Sequence, residues 1–291
     1  MSNLSHLYDV LARKAQTFRE YWDWLGEKAL VFEYGDRDKP VIFLVGGVDW
    51  QCLSTTTIIS DALVRFDGDT HILLVPSGVP SNVLGAEHVI AKVLGEDFSS
   101  LAEGIEKLRE RSQKIYSAGQ KEVYLYGNLL VVFSNVELSK GDLEDLLRNL
   151  STSFPLYNQV VMTVSGENVD VFLYSEDGIK DPLCFPFLQE LFQEISTLNP
   201  VVTVVLRCCE NWGIKLLGDA AQEHRTLAEL LLQQLGVSGV GLGNEPSEAE
   251  CLTGSQPVIE ICVPGRISEE ESEKVVHILH SLFNAAYLLV R

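Results

Sequence analysis

Leu4, Leu7, Leu11, Phe18, Trp22 and Leu25 recur at roughly helical spacing, which predicts an amphipathic opening helix over residues 1–26. Two apolar runs follow, ALVFEY at 29–34 and VIFLVG at 41–46, and the turn-rich GDRDKP between them predicts a hairpin. Helical spacing resumes from Ser54 to Phe66, and HILLVP (71–76) then reads as a buried strand ending in a loop, Ser77 to Asn82. Residues 85–95 and 98–116 read as helices, 122–134 as a second strand pair, and 140–150 as a helix with Ser139 as its cap. The alternation continues with strands at 159–164 and 169–174, a helix at 184–198 and an unbroken apolar strand at 201–207. A helix at 220–235, a strand at 257–263 and a closing helix at 268–284 complete the chain.

Near-continuous apolar strands separated by helices predict a mostly parallel, mixed sheet covered by helices on both faces. No Pro/Gly/Ser-rich linker and no internal repeat divides the sequence. The expectation is one α/β domain over residues 1–291, with about eight strands in its sheet and 122–134 as an extra hairpin. In such sheets ligands sit beyond the carboxyl ends of the strands. That rule nominates Gly46 to Trp50, Ser77 to Asn82, Ser165 to Asn168, Arg207 to Trp212, and the surroundings of Glu260.

Composition narrows the partners. With 22 basic and 41 acidic residues the net charge is −19, which argues against nucleic acid and anionic membranes, since both need a basic footprint. No apolar run approaches ~18 residues, and the first residues lack a basic stretch followed by an apolar one. The six cysteines (Cys52, Cys184, Cys208, Cys209, Cys251 and Cys262) show no C-x-x-C spacing. On a strand, the adjacent Cys208 and Cys209 point to opposite faces. Reduced thiols in a cytoplasmic protein are the expectation.

Several motifs fail on inspection. No G-x-S-x-G occurs, so a serine-hydrolase elbow is missing. Gly239, Gly241 and Gly243 follow a helix and lead into acidic residues, which suits a helix cap and loop better than a phosphate cradle. His277, His280 and Glu273 share one edge of the last helix, an edge read as solvated; Glu269, Glu270 and Glu271 with Ser268 suit the start of that helix. His88 and His224 read as surface histidines. Glu260 stands apart, because a carboxylate inside an apolar strand needs a partner or a raised pKa. Arg207, ending another apolar strand, has two readings: an ion pair with Glu210 or Glu260, or an anion-binding group.

The run EYGDRDKPVIFLVGGVDWQCLSTTTIISDALVRF resembles the zinc carboxypeptidase superfamily, which includes succinylglutamate desuccinylase and aspartoacylase. There a hairpin leads into a strand ending in G-G-x-H-x-x-E and then a helix. HILLVPSGVPSNVLGAE is similar to the family's next strand and loop, QVVMTVSGENVDVFLYSED to the strand delivering the third metal ligand, and PVIEICVPGR to the strand with the catalytic glutamate. The resemblance implies a carboxypeptidase-like fold with Glu260 at the catalytic position, while the strand-end positions Arg207, Asn82, Asp49 and Ser165 are the candidate substrate-binding residues; the family's Asn-Arg pair for the substrate carboxylate is not recognisable after Asn82. It also exposes departures: Asp49 stands where the first zinc-binding histidine belongs, Cys52 where the glutamate ligand belongs, and Ser165 near the third ligand.

Three functions follow as expectations. The first is a relative that has lost its zinc, holds no cofactor, and binds a small molecule or peptide, carboxylate-bearing in one version, at the strand ends. The second is an active amidohydrolase or carboxypeptidase, hydrolysing C–N bonds with zinc on Asp49, Cys52 and a further ligand. The third is an unrelated α/β hydrolase-like or interaction protein sharing only the strand–helix pattern.

Overall fold

The computed structural model describes residues 3–50, 52–68, 70–156, 158–175, 178–180, 186–218, 222–236, 242–243 and 257–285. Cys184, Cys251, Gly239 and Gly241 lie outside them. The chain divides into two compact units, Met1–Val83 with Pro186–Arg291, and Leu84–Phe185.

In chain order the first unit opens with α1 (Asn3–Ala12), β1 (Thr17–Trp22), β2 (Lys28–Tyr34), β3 (Val41–Val45), α2 (Ser54–Arg65), β4 (His71–Val75) and α3 (Pro80–Leu84). The second unit holds α4 (Ala86–Leu94), α5 (Leu101–Arg111), β5 (Gln113–Ala118), β6 (Lys121–Tyr126), β7 (Leu129–Ser134), α6 (Lys140–Ser151), β8 (Gln159–Ser165), β9 (Asn168–Ser175) and β10 (Gly178–Lys180). The first unit resumes with α7 (Pro186–Ser196), β11 (Val202–Cys209), β12 (Gly213–Leu217), α8 (Gln222–Leu235), β13 (Leu242–Gly243), β14 (Val258–Pro264) and α9 (Glu269–Ala285).

The first unit carries an eight-stranded sheet in the order β1-β2-β4-β3-β11-β14-β12-β13. Strands β4, β3, β11 and β14 run parallel through its centre, while β1, β2 and β12 pair antiparallel toward its two sides. This is the mixed α/β arrangement expected. Side chains alternate across it. Ile42, Leu44, Ile72, Leu74, Val204, Leu206, Ile259 and Ile261 bury one face against apolar residues of α1, α2, α8 and α9. On the opposite face Phe43 meets Phe192 of α7 edge-on, with ring centres 4.9 Å apart. Helices therefore cover both faces.

The strands of the middle of the chain form a sheet of their own, in the order β10-β9-β8-β7-β6-β5, antiparallel except for β7–β8. The sequence pattern predicts one main sheet with 122–134 as an extra hairpin; the structure has two sheets. Residues 122–134 do form a hairpin, β6–β7, and it is the middle of this second sheet. Leu143, Leu146, Leu147 and Leu150 of α6 pack on one face, and Arg109 of α5 lies 4.4 Å above the Phe133 ring on the other.

Four local readings need correction. The opening helix stops at Ala12, and 17–22 is an edge strand whose Phe18, Glu20 and Trp22 follow period 2. Helix 98–116 is split in the same way into α5 and β5. The 29–34 and 41–46 strands do not pair as a hairpin, because β4 inserts between β2 and β3. The edge of α9 read as solvated leans on α2: Arg65 pairs with Glu273, and His280 Nε2 lies 2.7 Å from the Ala62 carbonyl. The caps hold as expected, since Ser139 Oγ accepts from the Asp142 amide and Ser268 Oγ from the Glu271 amide.

One buried polar group affects stability directly. Glu33 is 8% exposed and takes Arg37, Thr17 and His71 as partners at 2.7–2.9 Å. Burial alone would raise its pKa, but those hydrogen bonds outweigh burial and hold it at about 2. A depressed carboxylate contributes stability above its unfolded pKa, and that stability is lost as pH falls through the folded value. The chain is expected to lose on the order of 2 kcal/mol between about pH 4.5 and pH 2 from this group. Urea unfolding across that window checks it: Glu33→Gln flattens the slope.

Candidate functional site at the strand ends

Strands β3 and β4 end side by side, and their following turns interlock. The Gly46 amide donates to Val75 O (3.0 Å), Gly78 to Gly46 O (2.8 Å) and Val79 to Gly47 O (3.0 Å). Gly47 has φ +59°, and a Cβ there would strike Thr56 Oγ1, with Ser77 Cα at 2.7 Å. Only glycine lets the two turns approach this closely. Gly47→Ala is expected to cost about 2–4 kcal/mol, from the left-handed backbone plus the clash, read as a lower urea midpoint.

Asp23, buried in the β1–β2 turn, fixes the second loop. One carboxylate oxygen accepts from the Leu25 and Glu27 amides, and the other from the Ser81 amide at 2.7 Å. Asn82 then donates Nδ2 to the Val48 carbonyl at 3.0 Å, which holds the residue preceding Asp49. Asn82 Oδ1, Thr56 Oγ1 and Trp50 Nε1 are buried without a hydrogen-bond partner. Ser81 Oγ is buried in the same state. Buried unsatisfied polar atoms are uncommon, and four of them gather in these turns and the α2 residue beneath them.

Asp49 reaches the end of β11. Arg207 brings Nε and Nη2 each to 2.7 Å from Asp49 Oδ1, and the Cys208 amide donates to Oδ2 at 2.7 Å. Arg207 Nη1 lies 4.0 Å from Glu260 Oε2, and Lys215 Nζ lies 3.4 Å from Glu260 Oε1. Strand register explains the meeting. Val205 pairs with Glu260 and Arg207 with Cys262 on β14, while Lys215 of β12 faces Glu260 from the other side. Glu260 is 2% exposed and Arg207 8%. Among the described residues two carboxylates and two cations thus form a nearly buried chain of charges. Of the sequence alternatives for Arg207, Glu260 is near, but among the described residues Asp49 is nearer.

The cysteines join the same segments. Cys52 is bridged to Cys208 and Cys209 to Cys262, with Cα–Cα separations of 6.4 and 5.3 Å. This corrects the expectation of reduced thiols for the four described cysteines, and the separations fall in the range that accommodates a disulfide. Cys208 and Cys209 take different partners, as side chains on opposite faces of one strand must. Ser165 belongs to the second unit, at the end of β8, where its hydroxyl donates to the Val136 carbonyl at 3.0 Å.

A zinc site needs three protein donors with lone pairs to spare. Here Asp49 accepts on both oxygens, Cys52 is bonded to Cys208, and the Ser165 hydroxyl is engaged elsewhere. These residues do not fit a zinc ion. Among the described residues no group of three or more His, Cys, Asp and Glu side chains is arranged to hold a metal.

Sequence reasoning missed Asp23, Lys215 and the buried Glu33–His71 pair. The signal that singled out Glu260, a titratable residue inside an apolar strand, is equally present in ALVFEY and HILLVP. His224 Nε2 lies 2.9 Å from the Val201 carbonyl, a structural role. A cavity of about 260 Å³ lies at the amino end of β4, lined by Lys14, Tyr34, Phe66, Asp67 and Thr70, at the opposite end of that strand from the interlocked turns. Among the described residues no helix is long and apolar enough to cross a membrane.

No protein-family model matches the sequence, and no curated protein does. Among solved structures, the chain is similar to the murein-tripeptide amidase MpaA from Escherichia coli O157, with a TM-score of 0.47 and 18% identity over 92% of each chain. It is also similar to a metallo-carboxypeptidase from Pseudomonas aeruginosa, with a TM-score of 0.47 and 11% identity over 98% of this chain and 70% of that one. A metallo-carboxypeptidase from Burkholderia cenocepacia gives a TM-score of 0.47 and 9% identity over 100% and 69%.

Proposed function

We propose that this chain is a zinc-free binding or regulatory protein on a carboxypeptidase-like α/β frame. Its ligand, a small molecule or peptide, is taken at the carboxyl ends of β3, β4, β11 and β14. The observation that carries the reading is Asp49, whose Oδ1 holds two nitrogens of the Arg207 guanidinium and whose Oδ2 accepts from the Cys208 amide. Three of the about four acceptor positions of this carboxylate are taken, its partner at the second ligand position is a bridged cysteine, and without metal-bound water Glu260 has nothing to deprotonate as a general base. Glu260 instead balances Arg207 and Lys215. The unsatisfied Asn82 Oδ1 and Trp50 Nε1 supply an acceptor and a donor for a polar ligand.

A carboxylate-bearing ligand competes with Asp49 for Arg207, so it binds where the Asp49 turn has moved. The alternative, an active amidohydrolase, requires Asp49 to leave Arg207 and Cys52 to leave Cys208. A panel of N-acyl amino acids and C-terminal peptides, assayed with and without added zinc, separates the two. The expected result is no turnover under either condition. Zinc-dependent hydrolysis abolished by Glu260→Gln would establish the enzyme instead.

A further inference from the structure

Both disulfides sit against the charge cluster. Cys52 lies three residues beyond Asp49, Cys208 follows Arg207 and gives its amide to Asp49, and Cys262 Sγ lies 3.6 Å from Glu260 Oε1. The two bridges differ in what they hold. Cys209–Cys262 joins β11 to β14, neighbours already in register, so breaking it releases little backbone. Cys52–Cys208 ties the segment after β3 to the end of β11, a strand it does not pair with. Beyond that bridge, the turn carrying Asp49 is joined to β11 by side-chain contacts to Asp49 itself.

We propose that Cys52–Cys208 is a thiol-operated latch on the turn Gly46–Trp50, shut when oxidised and released by a dithiol reductant. The proposal rests on reading the strand ends as the binding site, and release of the turn is what uncovers Trp50 Nε1 and Asn82 Oδ1. Cys208 is half-buried whereas Cys52 is 4% exposed, so Cys208 is the side from which the bridge is attacked in this scheme. A dithiol's thiolate attacks Cys208 Sγ and forms a mixed disulfide there. The protein's S–S bond breaks with its electron pair on Cys52, which then takes a proton. The reductant's second thiol displaces the Cys208 thiol and closes its own disulfide, so two electrons enter the protein and the dithiol is oxidised.

The leaving sulfur is well placed. Cys52 stands just before α2, whose N-terminus favours negative charge, and Ser54 Oγ lies 3.1 Å from its Sγ. A stabilised thiolate leaves faster.

The test compares the full chain, purified without reductant, before and after dithiothreitol. Alkylation with mass spectrometry reads the bridges, and amide hydrogen exchange reads the turn. A Cys52–Cys208 cross-linked peptide is expected in the untreated chain. On reduction, amides of residues 47–50 and 208 exchange on the order of tenfold faster, while 41–45 and 258–263 are unchanged. Cys52→Ser/Cys208→Ser exchanges fast with or without reductant, and Cys209→Ser/Cys262→Ser still responds to it. Free or zinc-held Cys52 and Cys208 thiols in the untreated chain overturn the latch, as does a bridge whose reduction leaves the turn's exchange unaltered. Turnover enters neither readout, so the hydrolysis panel can defeat the binding reading while the latch stands, and the reverse.

Discussion

Arg207→Ala is expected to destabilise the chain by about 3–5 kcal/mol, measured by urea unfolding at neutral pH. The loss comes less from the attraction removed than from the charges left behind. Asp49 keeps one oxygen on the Cys208 amide, but its other oxygen loses both guanidinium donors, and Glu260 loses the nearer end of a cation while 2% exposed. Removing Asp49 as well should recover part of the loss, because the unpaired carboxylate goes with it. Arg207→Lys does not restore the wild type, since an ammonium cannot serve Asp49 through two nitrogens at once while facing Glu260 with a third. A freely exposed arginine would show a change near zero in the same experiment.

The second large effect is expected from Cys52→Ala/Cys208→Ala. The bridge spans 156 residues, and the chain-entropy relation for a loop of that size gives about 5 kcal/mol, within a usual observed range of about 2–5. Cys209→Ala/Cys262→Ala opens a loop of 53 residues and comes out near 4 kcal/mol by the same relation. The longer span should therefore show the larger drop in urea midpoint without reductant, and both differences should shrink when the wild type is compared under reducing conditions. Equal midpoints for wild type and both double variants in oxidising buffer would mean that the bridges are not formed in solution.

What the sequence disclosed and what it hid have separate physical causes. The central strands 41–46, 71–76, 201–207 and 257–263 were legible because a parallel strand buried on both faces is a continuous apolar run, and such a run has few other uses at that length. Phe18 and Trp22, four apart, satisfy both a helix and a strand, so the pattern over β1 reads as a helix. The insertion of β4 between β2 and β3 leaves no local trace, because pairing order is decided by sheet packing. β12 has five residues and a broken burial pattern, too short for periodicity to register.

The site divides along the same line. Glu260 and Arg207 announced themselves as charges in apolar strands, and the strand-end rule nominated Asp49. That Asp49 and Arg207 would pair across 158 residues, or that Cys52 and Cys208 would meet, depends on β3 and β11 being neighbours. Ser165, assigned by resemblance, sits on a strand of the second unit's sheet.

The central claim is that Asp49 belongs to Arg207 and not to a metal. Zinc content by elemental analysis of the chain purified without chelator, followed by a calorimetric zinc titration of the native protein and of Arg207→Ala, tests it most directly. Far less than one zinc per chain and no saturable heat from the native protein are expected. One zinc per chain, lost together with Asp49 in Asp49→Ala, would contradict it.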